Sequence, residues 1–204
     1  MRRTLVLSCA SLLTLAACST TKTGTASPSG ASVTAPPANA ADQVPGPGVP
    51  KVETPIDTTR FKQAPCTTLT AAQITELLGS GITPKPDLNA QAGPSCYWHV
   101  PNVSQAGVGV VYNKLNNTGL TAIYKKQGTT FPFFMPMDPI DGHPTVAYGL
   151  LDERSDGRCA IAVGTSDREM IDVSIAESEA NVGKDPCAAA HDVAGKVVDN
   201  LRGA

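Results

Sequence analysis

Clusters of positive charge are missing from this sequence. Its 16 Lys and Arg are scattered among 18 Asp and Glu, for a formal net charge of −2. A chain so arranged lacks the electrostatic footprint that holds nucleic acid phosphates. It also lacks the basic stripe that draws a protein onto anionic lipid. No CxxC occurs and the cysteines lie far apart, which argues against zinc binding and thiol redox chemistry, so neither metal nor cofactor is expected. The nucleophile elbow G-x-S-x-G is absent too: Gly164-Thr165-Ser166-Asp167 departs from it at the last glycine. The three histidines, His99, His143 and His191, do not have the close spacing of a zinc motif, and the only prominent apolar run, Leu5 to Ala17, is too short to stay in a bilayer as a span.

That run is informative in another way. Arg2 and Arg3 precede it, and it ends in Leu15-Ala16-Ala17-Cys18. A positive start, a short apolar stretch and small residues before a cysteine form a signal peptide with a lipobox, whose cysteine thiol receives diacylglycerol. Residues 1–17 are therefore expected to be removed and Cys18 to carry lipid, with general secretion preferred over the twin-arginine route. The alternative is an ordinary signal peptide and a free thiol. Of 16 basic residues, loss of Arg2 and Arg3 leaves 14 against 18 acidic ones, a formal −4. Attachment then depends on the acyl chains at Cys18, and the expected location is the extracytoplasmic face of the cell membrane.

Residues 19 to about 60 are mostly Ser, Thr, Ala, Pro and Gly, with Val33, Val44, Val49, Val52 and Ile56 as the larger apolar side chains. Such a composition buries too little surface to offset chain entropy. Residues 18–60 therefore read as a lipidated cysteine and a disordered tether, spanning roughly 35 Å root-mean-square. A partner-binding proline segment is the other reading.

Residues 61–204 have the size of one domain. Thr70 and Gln73 form a reciprocal cap, with Leu69 and Ile74 as a staple, and this predicts a helix from Ala71 to Leu78 stopped by Gly79 and Gly81. Cys96, Trp98 and Val100, then Val108, Val110 and Tyr112, alternate at strand period and predict a hairpin. A second helix is expected over Thr118 to Gln127, and strands over Thr145 to Leu151, Arg158 to Thr165 and Glu169 to Ala176. Asp185 as cap and Pro186 at the first helical position open a closing helix with Val193, Val197, Val198 and Leu201 on one side. The order α-β-β-α-β-β-β-α describes an α+β domain with an antiparallel sheet of about five strands.

Cys66, Cys96, Cys159 and Cys187 remain after Cys9 leaves and Cys18 is lipidated. In an exported chain they imply two disulfides, and four cysteines allow three pairings. Cys66 with Cys96 and Cys159 with Cys187 is the favoured set, because each bond ties the start of a helix to a neighbouring strand. The others stay open.

Several segments invite chemistry. His143 lies beside Asp141 in Asp141-Gly142-His143-Pro144 and would be a base oriented by a carboxylate in an envelope hydrolase, although a turn entering a strand explains the same residues. Asp152 to Gly157 departs from a calcium loop at Arg154 and Val163 and reads better as a charged turn, and Asn116-Asn117-Thr118 reads as a cap rather than a glycan acceptor. No catalytic residue is assigned. Phe131, Phe133, Phe134, Met135 and Met137, broken by Pro132 and Pro136, read as a loop that either closes the core or binds a protein or apolar ligand. Trp98 reads as core.

Pro65-Cys66, Cys96-Tyr97-Trp98, Ile140-Asp141-Gly142-His143, Cys159-Ala160-Ile161-Ala162-Val163 and Asp185-Pro186-Cys187 stand in this order behind a lipobox and a Thr/Ser/Pro tether. In that combination the chain resembles the actinobacterial lipoproteins of the LprB and LprC type, a domain family of unknown function. The resemblance implies an envelope lipoprotein, a layered sheet similar to photosystem-accessory and Ran-binding Mog-type domains, and a binding role. It carries over no catalytic residue.

Overall fold

The computed structural model describes residues 43–101, 106–114, 117–181 and 183–203. The signal peptide, Cys18 and Asn116 lie outside the described residues. Among those described, the chain forms one antiparallel sheet with helices on one face and a strap of irregular chain on part of the other.

The first predicted helix, α2 (Ala71–Leu78), carries its reciprocal cap: Gln73 N–H donates to Thr70 Oγ1, and Thr70 N–H donates to Gln73 Oε1. Leu69 and Ile74 are both buried in the main core. The closing helix α4 (Pro186–Arg202) starts as expected, with Asp185 Oδ1 accepting from the N–H groups of Cys187 and Ala188. Its buried stripe of Ala190, Val193, Ala194, Val197, Val198 and Leu201 packs on the middle of the sheet.

The sheet has seven strands: β1 (Lys85–Asp87), β2 (Ser95–His99), β3 (Gly107–Asn113), β4 (Phe133–Ile140), β5 (His143–Gly149), β6 (Arg158–Gly164) and β7 (Met170–Ala176). Their order is β1-β2-β3-β7-β6-β5-β4, and every neighbouring pair is antiparallel. Period-2 alternation assigns the faces. Cys96, Trp98, Val108, Val110, Tyr112, Cys159, Ile161, Val163, Ile171, Val173 and Ile175 meet α4 and α2 in one core. The structure pairs Cys66 with Cys96 and Cys159 with Cys187, tying a turn before α2 to β2 and the first turn of α4 to β6.

The expectation of about five strands is corrected in two places. Strand β1 is three exposed residues with Pro86 at its centre, so no buried alternation marks it. Strand β4 runs through Phe133, Phe134, Met135 and Met137, the stretch read above as a loop. Pro136 and Pro139 are compatible with a strand here because β4 is at the sheet edge, where one row of N–H groups has no ladder partner to serve. The helix expected over Thr118 to Gln127 is only the turn α3 (Thr121–Tyr124), preceded by Gly119 at φ 50° and followed by Gly128 at φ 69°.

A third correction moves the start of the domain. Residues 43–60 lie against it rather than serving as free tether. Gly46 N–H donates to Thr121 Oγ1 at 3.0 Å, Val52 N–H to Asp167 Oδ1 at 2.9 Å and Ile56 N–H to the Thr165 carbonyl at 2.9 Å. Val52 is buried, and α1 (Thr59–Gln63) seats Phe61 against Tyr112 with ring centres 6.5 Å apart. The strap satisfies its backbone through long-range bonds instead of its own secondary structure, so a composition argument misses it.

The Cys159–Cys187 bond closes a 28-residue separation. Replacing both cysteines with Ala is expected to lower unfolding free energy by about 3.5 kcal/mol from loop entropy. Urea denaturation of the variant checks this, and an unchanged midpoint would show that the bond contributes nothing.

Candidate functional site

The longer helices α2 and α4 cover only the first face of the sheet. The second face carries the other parity of each strand, and its half nearest β4 is closed by the strap and α3. There Leu120, Ile123, Val146, Ala162 and Met170 form a second cluster with Val49, Tyr124, Phe131, Phe134 and Tyr148 packed on it. Tyr124 meets Phe134 edge-on at 5.0 Å, and Phe131 meets Tyr148 edge-on at 4.9 Å.

Next to this aromatic group the same face is open. The register places His99, Gly107, Ala176 and Arg158 in one row across β2, β3, β7 and β6, and Tyr97, Gly109, Ser174 and Ala160 in the next. The two middle strands bring only Gly, Ser and Ala to these rows, so the floor has almost no side chains. Tyr97 and His99 rise on one side, and Tyr148, Leu151, Glu153 and Arg158 on the other. The result is a groove of about 360 Å³, within the size range of small-molecule sites. Its walls are unusually apolar for an exposed position, with Tyr97 45% and Leu151 70% exposed.

Gly109 explains how the Tyr97 wall is seated. A Cβ on Gly109 would lie 2.7 Å from Tyr97 Cε1 and 2.6 Å from Ser174 Oγ. The Tyr97 ring thus lies over the Gly109 backbone, and any side chain there would displace it. On the far wall Tyr148 is held from below: its hydroxyl donates to Asp172 Oδ1 at 2.8 Å, and Asn113 Nδ2 donates to Asp172 Oδ2 at 2.9 Å. Burial pushes the Asp172 carboxyl above the usual carboxylate range, and burial together with the Asp172 charge pushes the Tyr148 phenol up. At the rim, Lys85 Nζ lies 3.2 Å from His99 Nε2, and Arg158 donates to Glu153 at 3.3 Å.

A family model described as "Protein of unknown function (DUF3558)" matches residues 13–200. The chain belongs to the DUF3558 family. No curated protein and no solved structure matches it.

In this DUF3558 domain the residues singled out from sequence are distributed as follows. His143 and Asp141 are not brought together. His143 is 2% exposed, and its Nδ1 donates to the Gly164 carbonyl at 3.0 Å. Asp141 sits in the β4–β5 turn at φ 48° and accepts from Arg202 at 2.7 Å. His191 donates to the Asp138 carbonyl, and Trp98 is buried. Asp152 binds Arg154 through both oxygens, which holds its carboxyl down to about 2; the segment is a charged turn closed by Gly157 at φ 71°. Among the described residues no group of three or more His, Cys, Asp or Glu is placed to hold a metal ion.

The aromatic stretch is divided by the strand alternation. Phe133, Met135 and Met137 pack against the main core, and Phe131 and Phe134 against the second cluster. All five are half-buried; Phe133 alone reaches the groove, at its end, under the Arg154 guanidinium 4.9 Å above its ring. Gly107, Gly109, Ala160, Ser174 and Tyr148 were not anticipated as site residues. The available signal was the pair of glycines at alternate positions inside a strand pattern, which marks close approach over one face.

The raised Asp172 carboxyl has a pH consequence. The folded state holds this proton more tightly than the unfolded chain, so the contribution falls as pH rises from the ordinary Asp value of about 4 through the raised folded value. Asp172→Asn removes that loss. Its unfolding free energy relative to wild type is expected to increase between pH 4 and 7 in urea titrations; a constant difference would contradict the assignment.

Proposed function

We propose that this chain is an envelope lipoprotein of the actinobacterial LprB and LprC type. In this reading it is anchored through lipid on Cys18 at the extracytoplasmic face of the cell membrane, and its domain is a binding module rather than an enzyme. The lipobox supports the anchor, and the family match begins at residue 13 and so takes in Cys18. Among the described residues no helix is long and apolar enough to cross a membrane. Cys18→Ala is expected to move the protein from the membrane fraction to the soluble fraction, and retention in the membrane pellet would reject the anchor.

The observation that carries the binding reading is the open groove over Gly107, Ala160 and Ser174, with the Tyr97 ring seated on Gly109 at its side. Its floor is apolar and nearly flat, its walls are aromatic and aliphatic, and its rim has a few polar groups, the usual make-up of a site for a small apolar ligand. The Phe131 to Met137 segment is then a wall and core element of the site, not the contact surface itself. The separation of His143 from Asp141 removes the observation that favoured a hydrolase.

Ala160 is half-exposed on the groove floor, so a larger side chain there projects into the groove without entering the core. Native mass spectrometry of the full-length protein released from its membrane is expected to show a bound apolar species that Ala160→Leu loses while keeping its thermal midpoint. Equal loading of the two proteins, or an unloaded wild type, would refute the groove as a carrier site.

A further inference from the structure

The groove has two unlike ends, and this restricts its ligand further than apolarity does. Its inner row runs between Tyr97 and the aromatic group at Tyr148 over Gly109, Ser174 and Ala160. Its outer row runs between His99 and Arg158 over Gly107 and Ala176. Three strand spacings separate the His99 and Arg158 backbones by roughly 14 Å, and both side chains line the groove between them. Lys85, paired with Tyr97 on the next strand, brings its ammonium to 3.2 Å from His99 Nε2. An ammonium only donates, so His99 accepts there, and the contact holds the cation at this rim. The outer row thus has Lys85 and His99 at one end and Arg158, paired with Glu153, at the other, two cations to one carboxylate among these rim residues. This is a local excess of positive charge on a chain whose formal net charge is −2.

Resting on the groove reading above, we propose that the ligand is an anionic amphiphile. Its apolar body lies over Ser174 and Ala160 beside the Tyr97 ring that covers Gly109, and its single carboxylate or phosphate head sits between His99 and Arg158 with Lys85 behind. A cationic amphiphile would meet Arg158 and Lys85 at the same place and be repelled, and a neutral one would gain no charge-assisted bond from either. Specificity therefore comes from the rim, and the floor contributes shape and apolar contact.

The test uses the full-length lipoprotein in phosphatidylcholine nanodiscs, titrated calorimetrically with octanoate, octyl phosphate, octanol and octyltrimethylammonium against protein-free discs. The two anions are expected to bind about tenfold tighter than octanol, the size of one partly exposed charge-assisted hydrogen bond, and the cation weakest of all. Their order distinguishes a carboxylate from a phosphate head. Arg158→Gln and, independently, His99→Gln are expected to bring octanoate down to the affinity of octanol while leaving octanol unchanged. Equal binding of all four probes, or tightest binding of the cation, overturns the anionic head and leaves the groove in place. Failure of every probe, octanol included, overturns the groove reading itself.

Discussion

The rest of the structure depends on α4 being packed against the middle of the sheet. Its stripe from Ala190 to Leu201 covers the alternate residues of β7 and β6, and Cys159–Cys187 ties its first turn to β6. Because the long helix covers one face only, the opposite face must be closed by something else. The chain closes half of it, with the strap of residues 43–60 and the short turn α3. Strap and helix are joined through the same hairpin: Val52 bonds to Asp167 in the β6–β7 turn, and Glu169 at that turn accepts from Thr58 and Lys62. The open half is therefore a product of how the covered halves are built.

Elements that carry their own signal were legible in the sequence. The cap residues Thr70, Gln73 and Asp185, and the alternation of Val108, Val110 and Tyr112 or of Ile171, Val173 and Ile175, record local geometry that tertiary packing then uses. Elements whose order comes from distant partners were not. Strand β1 exists because Lys85, Pro86 and Asp87 pair with β2, and none of its residues is buried. Strand β4 contains two prolines that argue against a strand unless its edge position is known. The strap is ordered by bonds to residues more than 70 positions away, such as Gly46 to Thr121, and composition has no access to those.

The site was less legible than the fold, for a related physical reason. Sequence reading favours conspicuous side chains, and it settled on Phe131 to Met137 and on His143 with Asp141. Those aromatic and methionine side chains divide between two cores, and the histidine is bound under Gly164. The groove, by contrast, is formed by residues with little or no side chain, contributed by β3, β6 and β7. A space left by Gly107, Gly109, Ala160 and Ser174 has a signature only when the register is known, because the four come together from positions up to 67 apart. The residues that matter at its rim, Lys85, Tyr97, His99 and Arg158, each look like ordinary outward-facing strand positions.

The two disulfides give that open groove its rigidity. Cys96 precedes Tyr97, and Cys159 lies between Arg158 and Ala160, so each bond is made on the core face by the strand that presents a groove wall on the other. A strand fixed from behind cannot rotate its outward residues without straining the bond, and the walls are held apart across the side-chain-poor floor. On the third side, Tyr148 is tied through its hydroxyl to the half-buried Asp172. The ladder through β2, β3, β7 and β6 fixes the spacing of the walls across this floor. Pinning the walls from the opposite face keeps the apolar surface accessible, so a ligand of the proposed kind would spend little of its binding free energy on ordering the site.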